Sequence, residues 1–435
     1  IRRNLPFQKN KLYLRERVSE SLGLLYATHF PYRQYRTGRG VRKSPIHDRL
    51  VAKGACHGEA FGWERPNWYA LNDIKPLYEY SFGRQNWFDC SAAEHHAVRE
   101  GVALFDQSSF AKFQLEGLDA TKTLNWICAN NIDVGIGRVV YTQWLNDRGG
   151  IEADLTVTRF AENLFLIVTA AETEVRDYHW LRKHIPTSAH CVLTNVTSGF
   201  GVISIMGPRS RDLLQSLTPD QLSHASFPFA TSREIELGLG YARASRITFV
   251  GELGWELYIP TEFMQDIYDR IVVAGAAYGL THAGYHALNS LRLEKGYRHW
   301  GHDVTDEDSP LEAGLDYVVK FDKIDGFMGR EALLLQQERG ISRKLIQLRL
   351  TDPEPLIYHN EPIWRDGRLV GHITSGAYGH TFKRAVGLGY VEIEPNLTHE
   401  SLMEGVYEVE VAGKRVPAEV SLRAFYDPEN MRIRC

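Results

Sequence analysis

Two extended segments around a turn constrain this sequence most. Val139–Leu145 and Ile151–Thr158 flank Asn146-Asp147-Arg148-Gly149-Gly150, residues that supply the backbone freedom and local hydrogen bonds of a tight reversal. The spacing predicts a β-hairpin. In its second arm Ile151, Ala153, Leu155 and Val157 alternate with Glu152, Asp154, Thr156 and Thr158. Strand side chains alternate between faces, so the apolar four meet a core and the polar four share the other face. Aspartate is disfavoured within strands. Asp154 therefore lies either on a solvated sheet face or where its chemistry is needed.

A second turn, Val250-Gly251-Glu252-Leu253-Gly254, separates an expected strand Ser245–Phe249 from another at Trp255–Pro260. Here Trp255, Leu257 and Ile259 face one way, Glu256 and Tyr258 the other. A carboxylate beside aromatic rings can accept two parallel N–H bonds from an aminopyrimidine-like edge; an exposed strand glutamate is the alternative. The surrounding pattern is α+β. Helices are expected over Ser91–Gly101, Asp119–Cys128, Glu172–His184, Glu262–Ala276 and Ala283–Lys295, and strands at Leu164–Thr169 and Gly201–Met206. After about Arg343, short strands with expected turns at Arg365-Asp366-Gly367 and Ser375-Gly376 predict a small all-β domain.

The 435 residues suffice for several domains. Total charge is nearly balanced, 50 Lys+Arg against 54 Asp+Glu, but residues 1–70 hold 14 of the basic and only 5 of the acidic groups. Arg2, Arg3, Arg15, Arg17, Arg33, Arg36, Arg39, Arg42 and Lys43 are interleaved with aromatics and prolines. That texture predicts an irregular arm laid over an acidic partner surface, with no nucleic-acid-binding motif. The longest apolar runs, such as Leu164–Ala171, fall far below the ~18–20 residues of a membrane helix. Five scattered cysteines without a CxxC pair indicate reduced, intracellular thiols; the expected location is the cytoplasm or mitochondrial matrix, as a soluble protein. His299 and His302 lack an HExxH pattern, so no metal is expected. Gly135-Ile136-Gly137 and Gly238-Leu239-Gly240 lack the third glycine of a dinucleotide fingerprint, and there is neither a P-loop nor a GxSxG elbow. A start at Ile1 without a leader suggests a piece of a longer chain.

Several stretches together carry a resemblance. They are Gly-Gly-Ile-Glu-Ala-Asp-Leu-Thr-Val (149–157), Ile-Met-Gly-Pro-Arg-Ser-Arg (205–211), Gly-Glu-Leu-Gly-Trp-Glu-Leu (251–257) and Ser-Leu-Arg-Leu-Glu-Lys-Gly-Tyr-Arg-His-Trp-Gly (290–301), followed by Ser-Pro-Leu-Glu-Ala-Gly-Leu (309–315) and Thr-Ser-Gly-Ala-Tyr-Gly (374–379). In this order they resemble the aminomethyltransferase (glycine-cleavage T-protein) family of tetrahydrofolate-binding proteins. More closely, they resemble the C-terminal half of dimethylglycine/sarcosine dehydrogenases. The arm, with Ser44–Leu50 and Gly62–Tyr69, looks like the linker that follows the flavin domain in those dehydrogenases.

The resemblance implies an α+β fold of three subdomains around a central channel, with a small C-terminal β-barrel. It implies a linker over residues 1–75, a folate-binding domain over 76–340 and the barrel over 341–435. It also implies a demethylating oxidoreductase in which FAD, on an N-terminal flavin domain of the same parent polypeptide, oxidises an N-methyl amine. This chain would pass the resulting one-carbon iminium or formaldehyde unit to tetrahydrofolate, forming 5,10-methylenetetrahydrofolate. Asp154 matches the catalytic carboxylate and Glu256 the residue that grips the pterin edge. Tyr141, Phe249 and Tyr378 match folate-pocket aromatics; some relatives carry tyrosine at the position of Phe249. Arg292 either orders the carboxylates or meets the folate glutamate tail. Neither nucleic acid nor a membrane is implied as a partner. A plain aminomethyltransferase of the glycine cleavage system and a non-catalytic regulatory relative are the competing expectations.

Overall fold

The computed structural model describes residues 5–393 and 399–435, and in it the alternating segments assemble into two sheets, a closed barrel and a separate hairpin. The first sheet has five antiparallel strands in the order Val139–Leu145, Ile151–Ala161, Leu164–Thr169, Ala111–Glu116, Val192–Asn195. Its apolar face carries Phe113, Trp144 and Leu155, which pack against Leu124 and Leu181 of helices Ala120–Ile127 and Glu174–His184. The second sheet orders Ser232–Leu237, Gly240–Ser245, Gly254–Pro260, Phe200–Met206, Ala103–Asp106 and Thr281–His282. Trp255, Leu257 and Ile259 bury against Ile267 and Ile271 of helix Met264–Gly275.

Helices cover the outer face of each sheet; part of the second sheet's other face, at Phe105 and Met206, packs on Val98 and Leu291 of helices Phe88–Glu100 and Tyr285–Glu294. At one end the two remaining faces meet through Leu166 of the first sheet and Val202 and Tyr258 of the second, all buried together. Asp154 shares its sheet face with Thr158, which pairs with Leu166, and Glu256 shares its face with Tyr258. The polar sides of both hairpins therefore turn inward, toward one another.

The barrel is formed by Arg343–Leu350, Arg384–Glu392, Arg368–Gly379, Pro362–Arg365, Tyr407–Val411 and Lys414–Ser421. Helix Tyr285–Glu294 lies between it and helix Phe88–Glu100. This α+β architecture with a terminal barrel agrees with the expected fold class.

Three local expectations are corrected. The strand expected at Ser245–Phe249 ends at Ser245, having begun at Gly240. Beyond it the Thr248 Oγ accepts from the backbone N–H of Val250 (3.2 Å) and Gly251 (3.1 Å), and the fully buried Arg246 is anchored on the Phe227 carbonyl (2.8 Å). These bonds curl the chain out of the sheet. Ser375-Gly376 is no turn but lies inside the Arg368–Gly379 strand, which bulges between Ile373 and Ser375. Gly376 is needed for close approach, because a Cβ there would sit 2.7 Å from the Ile357 carbonyl group. The basic arm is not irregular: it contains helices Lys11–Leu24 and His47–Ala52 and a hairpin of Ala55–Ala60 with Trp63–Tyr69. Its arginines meet carboxylates of this same chain, Arg42 with Glu174 (2.9 Å), Arg65 with Glu172 (2.8 Å) and Arg49 with Asp269 (2.8 Å). Arg2 and Arg3 lie outside the described residues.

Among the described residues no helix is long and apolar enough to cross a membrane, and the five cysteines are free thiols. The first hairpin's turn docks tightly: a Cβ on Gly150 would meet the Asp306 carbonyl oxygen at 1.9 Å. Gly150→Ala should cost about 1–3 kcal/mol through backbone displacement, read as a lower urea midpoint at unchanged slope.

Candidate functional site

Asp154 stands opposite Gln143 in the hairpin register, and Tyr141 stands opposite Thr156, on the same inward face. The Gln143 Nε2 donates to Asp154 Oδ1 at 2.8 Å, and the Tyr141 side chain also hydrogen-bonds the carboxyl. Asp154 is surrounded by protein yet keeps some accessible surface. Burial pushes its carboxyl up to about 6, against the opposing effects of the Gln143 and Tyr141 hydrogen bonds and the Arg298 charge. Gln143 Oε1 is buried without a donor, an acceptor that a ligand or water N–H or O–H would satisfy. Tyr317, which also feels the Asp154 charge, is 65% exposed.

Glu256 projects from the second sheet, between Ser204 and Ser245 of its neighbouring strands. The Tyr258 hydroxyl donates to its Oε2 at 2.7 Å. Burial raises the Glu256 carboxyl, while the Tyr258 bond and the charge of Lys112 oppose the rise. Lys112 is wholly buried, its Nζ donating to the carbonyls of Ser108 (2.9 Å) and Phe110 (2.8 Å), and burial brings it down to about 7. A row across the first sheet, Thr156 beside Val168 beside Lys112, leads from the Asp154 hairpin toward Glu256. The two carboxylates make no direct hydrogen bond; each keeps its own tyrosine.

The other candidate residues divide. Phe249 stacks on Tyr297, with centroids 5.8 Å apart and 16° between planes. Tyr297 in turn feels Tyr317. Arg292 is 3% exposed and is bound to Asp303 (2.5 Å), Asn289 (2.9 Å) and the Tyr297 carbonyl (3.0 Å). The carboxylate it orders is thus Asp303, which also accepts from the barrel residue Thr374 (2.7 Å). Tyr378 belongs to a different pocket, beside Phe88, His380 and Tyr358, with Arg84 over its ring. His299 and His302 have ring centroids 5.0 Å apart, and burial lowers His299 to about 4. Among the described residues no three His, Cys, Asp or Glu side chains gather as a metal site.

Two inward carboxylates, a near-neutral aspartate and flanking aromatic rings suit a planar ring rich in N–H donors. Residues 46–323 match the GCVT N-terminal domain. The chain belongs to the glycine-cleavage T-protein family. Within it, residues 343–427 match the T-protein C-terminal barrel domain, and residues 1–44 match the FAD dependent oxidoreductase central domain. The chain is 43% identical over 434 residues to 4-methylaminobutanoate oxidase (formaldehyde-forming) of Paenarthrobacter nicotinovorans, an overlap of 100% of this chain and 52% of that protein. It is 35% identical over 465 residues to mitochondrial sarcosine dehydrogenase of Mus musculus, covering 97% of this chain and 50% of the relative. The chain thus spans about half the length of these curated relatives. Among solved structures, the glycine cleavage system aminomethyltransferase T from Bartonella henselae superposes with a TM-score of 0.76 at 24% identity, over 89% of this chain and 99% of that one. That likeness shares the T-protein fold.

For this T-protein chain, sequence reasoning missed Gln143, Lys112 and Arg298 as neighbours of the two carboxylates. Lys112 had a legible signal, a lysine between Ala111 and Phe113 in an extended segment. Gln143 could have been found by pairing the hairpin arms in register. Arg298 carried no such signal, because its approach to Asp154 depends on a loop from a distant element.

Proposed function

We propose that this chain is the tetrahydrofolate-dependent one-carbon capture half of an N-methyl amine dehydrogenase or oxidase and forms 5,10-methylenetetrahydrofolate. The carrying observation is the pair of inward carboxylates, Asp154 near neutrality and Glu256 held by Tyr258. Glu256 would accept N–H bonds from the pterin edge, where its burial strengthens charge-assisted hydrogen bonds. The buried Gln143 Oε1 offers a further acceptor. Tyr141 and the stacked Phe249–Tyr297 pair would flank the folate rings. Arg292 would act at one remove, through Asp303. Tyr378 would act from its separate pocket beside Phe88 and His380.

In the capture step a folate nitrogen attacks the methylene carbon of R2N⁺=CH2, and the C–N bond to the departing amine breaks. The second folate nitrogen closes the ring. Folate loses two protons, one leaving on the amine R2NH and one to base. Asp154, ionised above about pH 6, would accept the proton and stabilise positive charge on the iminium. With formaldehyde as the electrophile, the departing molecule is water. FAD would supply the preceding amine oxidation, on a portion of the same polypeptide; the match of residues 1–44 to a flavin oxidoreductase domain supports this over a plain aminomethyltransferase. On this reading residues 1–75 link to that portion, 76–340 form the folate-binding unit and 341–435 close it.

The test is calorimetric titration of the purified protein with tetrahydrofolate, followed by methylene-folate formation from formaldehyde above the uncatalysed rate. Saturable binding with enhanced condensation is expected; no binding would overturn the reading. Glu256→Gln should weaken folate binding by about 10-fold or more, since one charge-assisted bond is lost, while Asp154-dependent condensation persists at saturating folate.

A further inference from the structure

A pocket separate from the two carboxylates lies where the arm, helices Phe88–Glu100 and Tyr285–Glu294 and the barrel domain come together. Five phenyl, phenol or indole rings line it: Tyr32 from the arm, Trp87 and Phe88 at the start of the first helix, and Tyr358 and Tyr378 from the barrel domain. Tyr32 holds φ +60°, a backbone conformation that bulky residues rarely adopt, with its ring 5.9 Å from Tyr358 and 6.2 Å from Trp87. The rings meet steeply: Tyr32 stands at 85° to Trp87 and 70° to Tyr358, and Phe88 at 65° to Tyr378. Among the described lining rings in contact, only Trp87 and His286 are nearly parallel (21°), and at 5.2 Å they stack on each other. A flat ligand needs two parallel faces opposite one another. Faces set steeply to each other suit a compact, near-spherical group.

The charge pattern points to the nature of that group. Among the described residues no Asp, Glu, Lys or Arg lines the pocket, and burial holds His286 and His380 at about 3, neutral at pH 7. The wall thus presents π-faces and no cation of its own. Arg84 shows what these rings attract: its guanidinium lies 4.8 Å from the Phe88 ring centre and 5.7 Å from that of Tyr378. Beside Tyr358 stands the Glu361 carboxyl. Its Oε1 accepts from the Tyr358 backbone N–H (2.8 Å), while its Oε2 is buried without a partner. Ser91, 5% exposed, adds a wall residue whose Oγ also has no hydrogen-bond partner. Ring faces, an unspent carboxyl oxygen and an unspent hydroxyl call for a small cation that still carries an N–H.

We infer that this pocket is a binding site for a small N-methylated ammonium ion, its methyl groups against the rings of Tyr32, Trp87, Phe88, Tyr358 and Tyr378 and its N–H on Ser91 Oγ. On the capture reading above, the amine R2NH that leaves the folate step is such a group once protonated. That source rests on the reading; the binding itself does not.

The experiment follows the methyl signals of trimethylammonium, tetramethylammonium and tert-butanol by ligand-detected NMR as each is titrated against the protein at pH 7, without folate. Tetramethylammonium and tert-butanol have the same number of heavy atoms but differ in charge. Both cations should bind saturably, and tert-butanol about 10-fold more weakly than tetramethylammonium. Trimethylammonium should bind a few-fold more tightly than tetramethylammonium, and Ser91→Ala should erase that preference. Tyr358→Leu should weaken both cations by about 10-fold, with Tyr358→Phe, which keeps the ring, near wild type. Equal binding of tert-butanol, no saturable cation binding, or cation binding unchanged in a folded Tyr358→Leu protein would each overturn the inference. So would displacement of the cations by p-aminobenzoylglutamate, which would assign the pocket to the folate tail. Should Tyr358→Leu not fold, the charge comparison on the wild-type protein still decides. Tetrahydrofolate titration tests the capture reading separately, so failure of one leaves the other standing.

Discussion

Asp154→Asn is expected to lower methylene-folate formation by about 10²–10⁴-fold while folate binding changes by no more than a few-fold. The amide keeps the acceptor for Gln143 Nε2 and the shape of the site, but it can neither take a proton nor carry charge. A coupled assay at saturating folate reads this directly, and unchanged turnover would remove Asp154 from the chemistry. The wild-type rate should itself fall as pH drops through about 6, where the carboxylate protonates.

The same substitution should stabilise the protein at alkaline pH. The folded-state pKa of Asp154, about 6, lies above its ordinary value of 3.8. The neutral carboxyl therefore favours folding fully below about pH 4, and that contribution is lost as pH rises through 6. Asp154→Asn escapes the loss, so its margin over wild type should grow from about zero at pH 4 to the order of 1–2 kcal/mol at pH 8. Thermal melts at the two pH values check the sign. A functional carboxylate held at a cost to the fold behaves this way; a purely structural one does not.

The largest loss of stability is expected from Arg99→Met. Arg99 ends the Phe88–Glu100 helix and donates to Glu252 (3.1 Å), Glu294 (2.9 Å) and the carbonyls of Val250 (2.7 Å) and Leu291 (3.2 Å). The Tyr426 ring lies 3.7 Å from its guanidinium, and Arg432 reaches Glu252 at 3.2 Å from the C-terminal segment. Burial alone would raise Glu294, yet His95, Arg99 and Thr381 hold it down to about 2. Such a depressed carboxylate contributes stability above about pH 4.5 that is lost only as pH falls toward 2. Removing Arg99 strands two buried carboxylates, a change worth about 3–5 kcal/mol. Urea unfolding at pH 7 should show it. The deficit should shrink near pH 4, where the stranded carboxylates can protonate. Because the network joins the helix, the second hairpin's turn and the barrel edge at Thr381, the C-terminal segment should also become sensitive to proteolysis.

Local patterning carried much of the fold. The strands Val139–Leu145 and Leu164–Thr169 run between the expected residues, and the alternation at Ile151–Thr158 and Trp255–Pro260 assigns inward and outward faces as it should. The errors fell where side chains override local preference. Thr248 and Arg246 turn a β-branched stretch away from its sheet. Gly376 looked like a turn residue but serves close packing. The arm's arginines suggested a loose basic tail; carboxylates up to 220 residues away order it.

The sequence by itself determined the period-two faces of both hairpins, hence that Asp154 shares a side with Thr156 and Glu256 with Tyr258, because alternation is a property of one strand's backbone. Only the tertiary structure decided that those polar sides turn inward rather than meet water. It also decided that Arg292 serves Asp303. Coverage of a sheet face and the pairing of charges depend on segments far apart in the chain, and desolvation acts on a group only after those segments have closed around it.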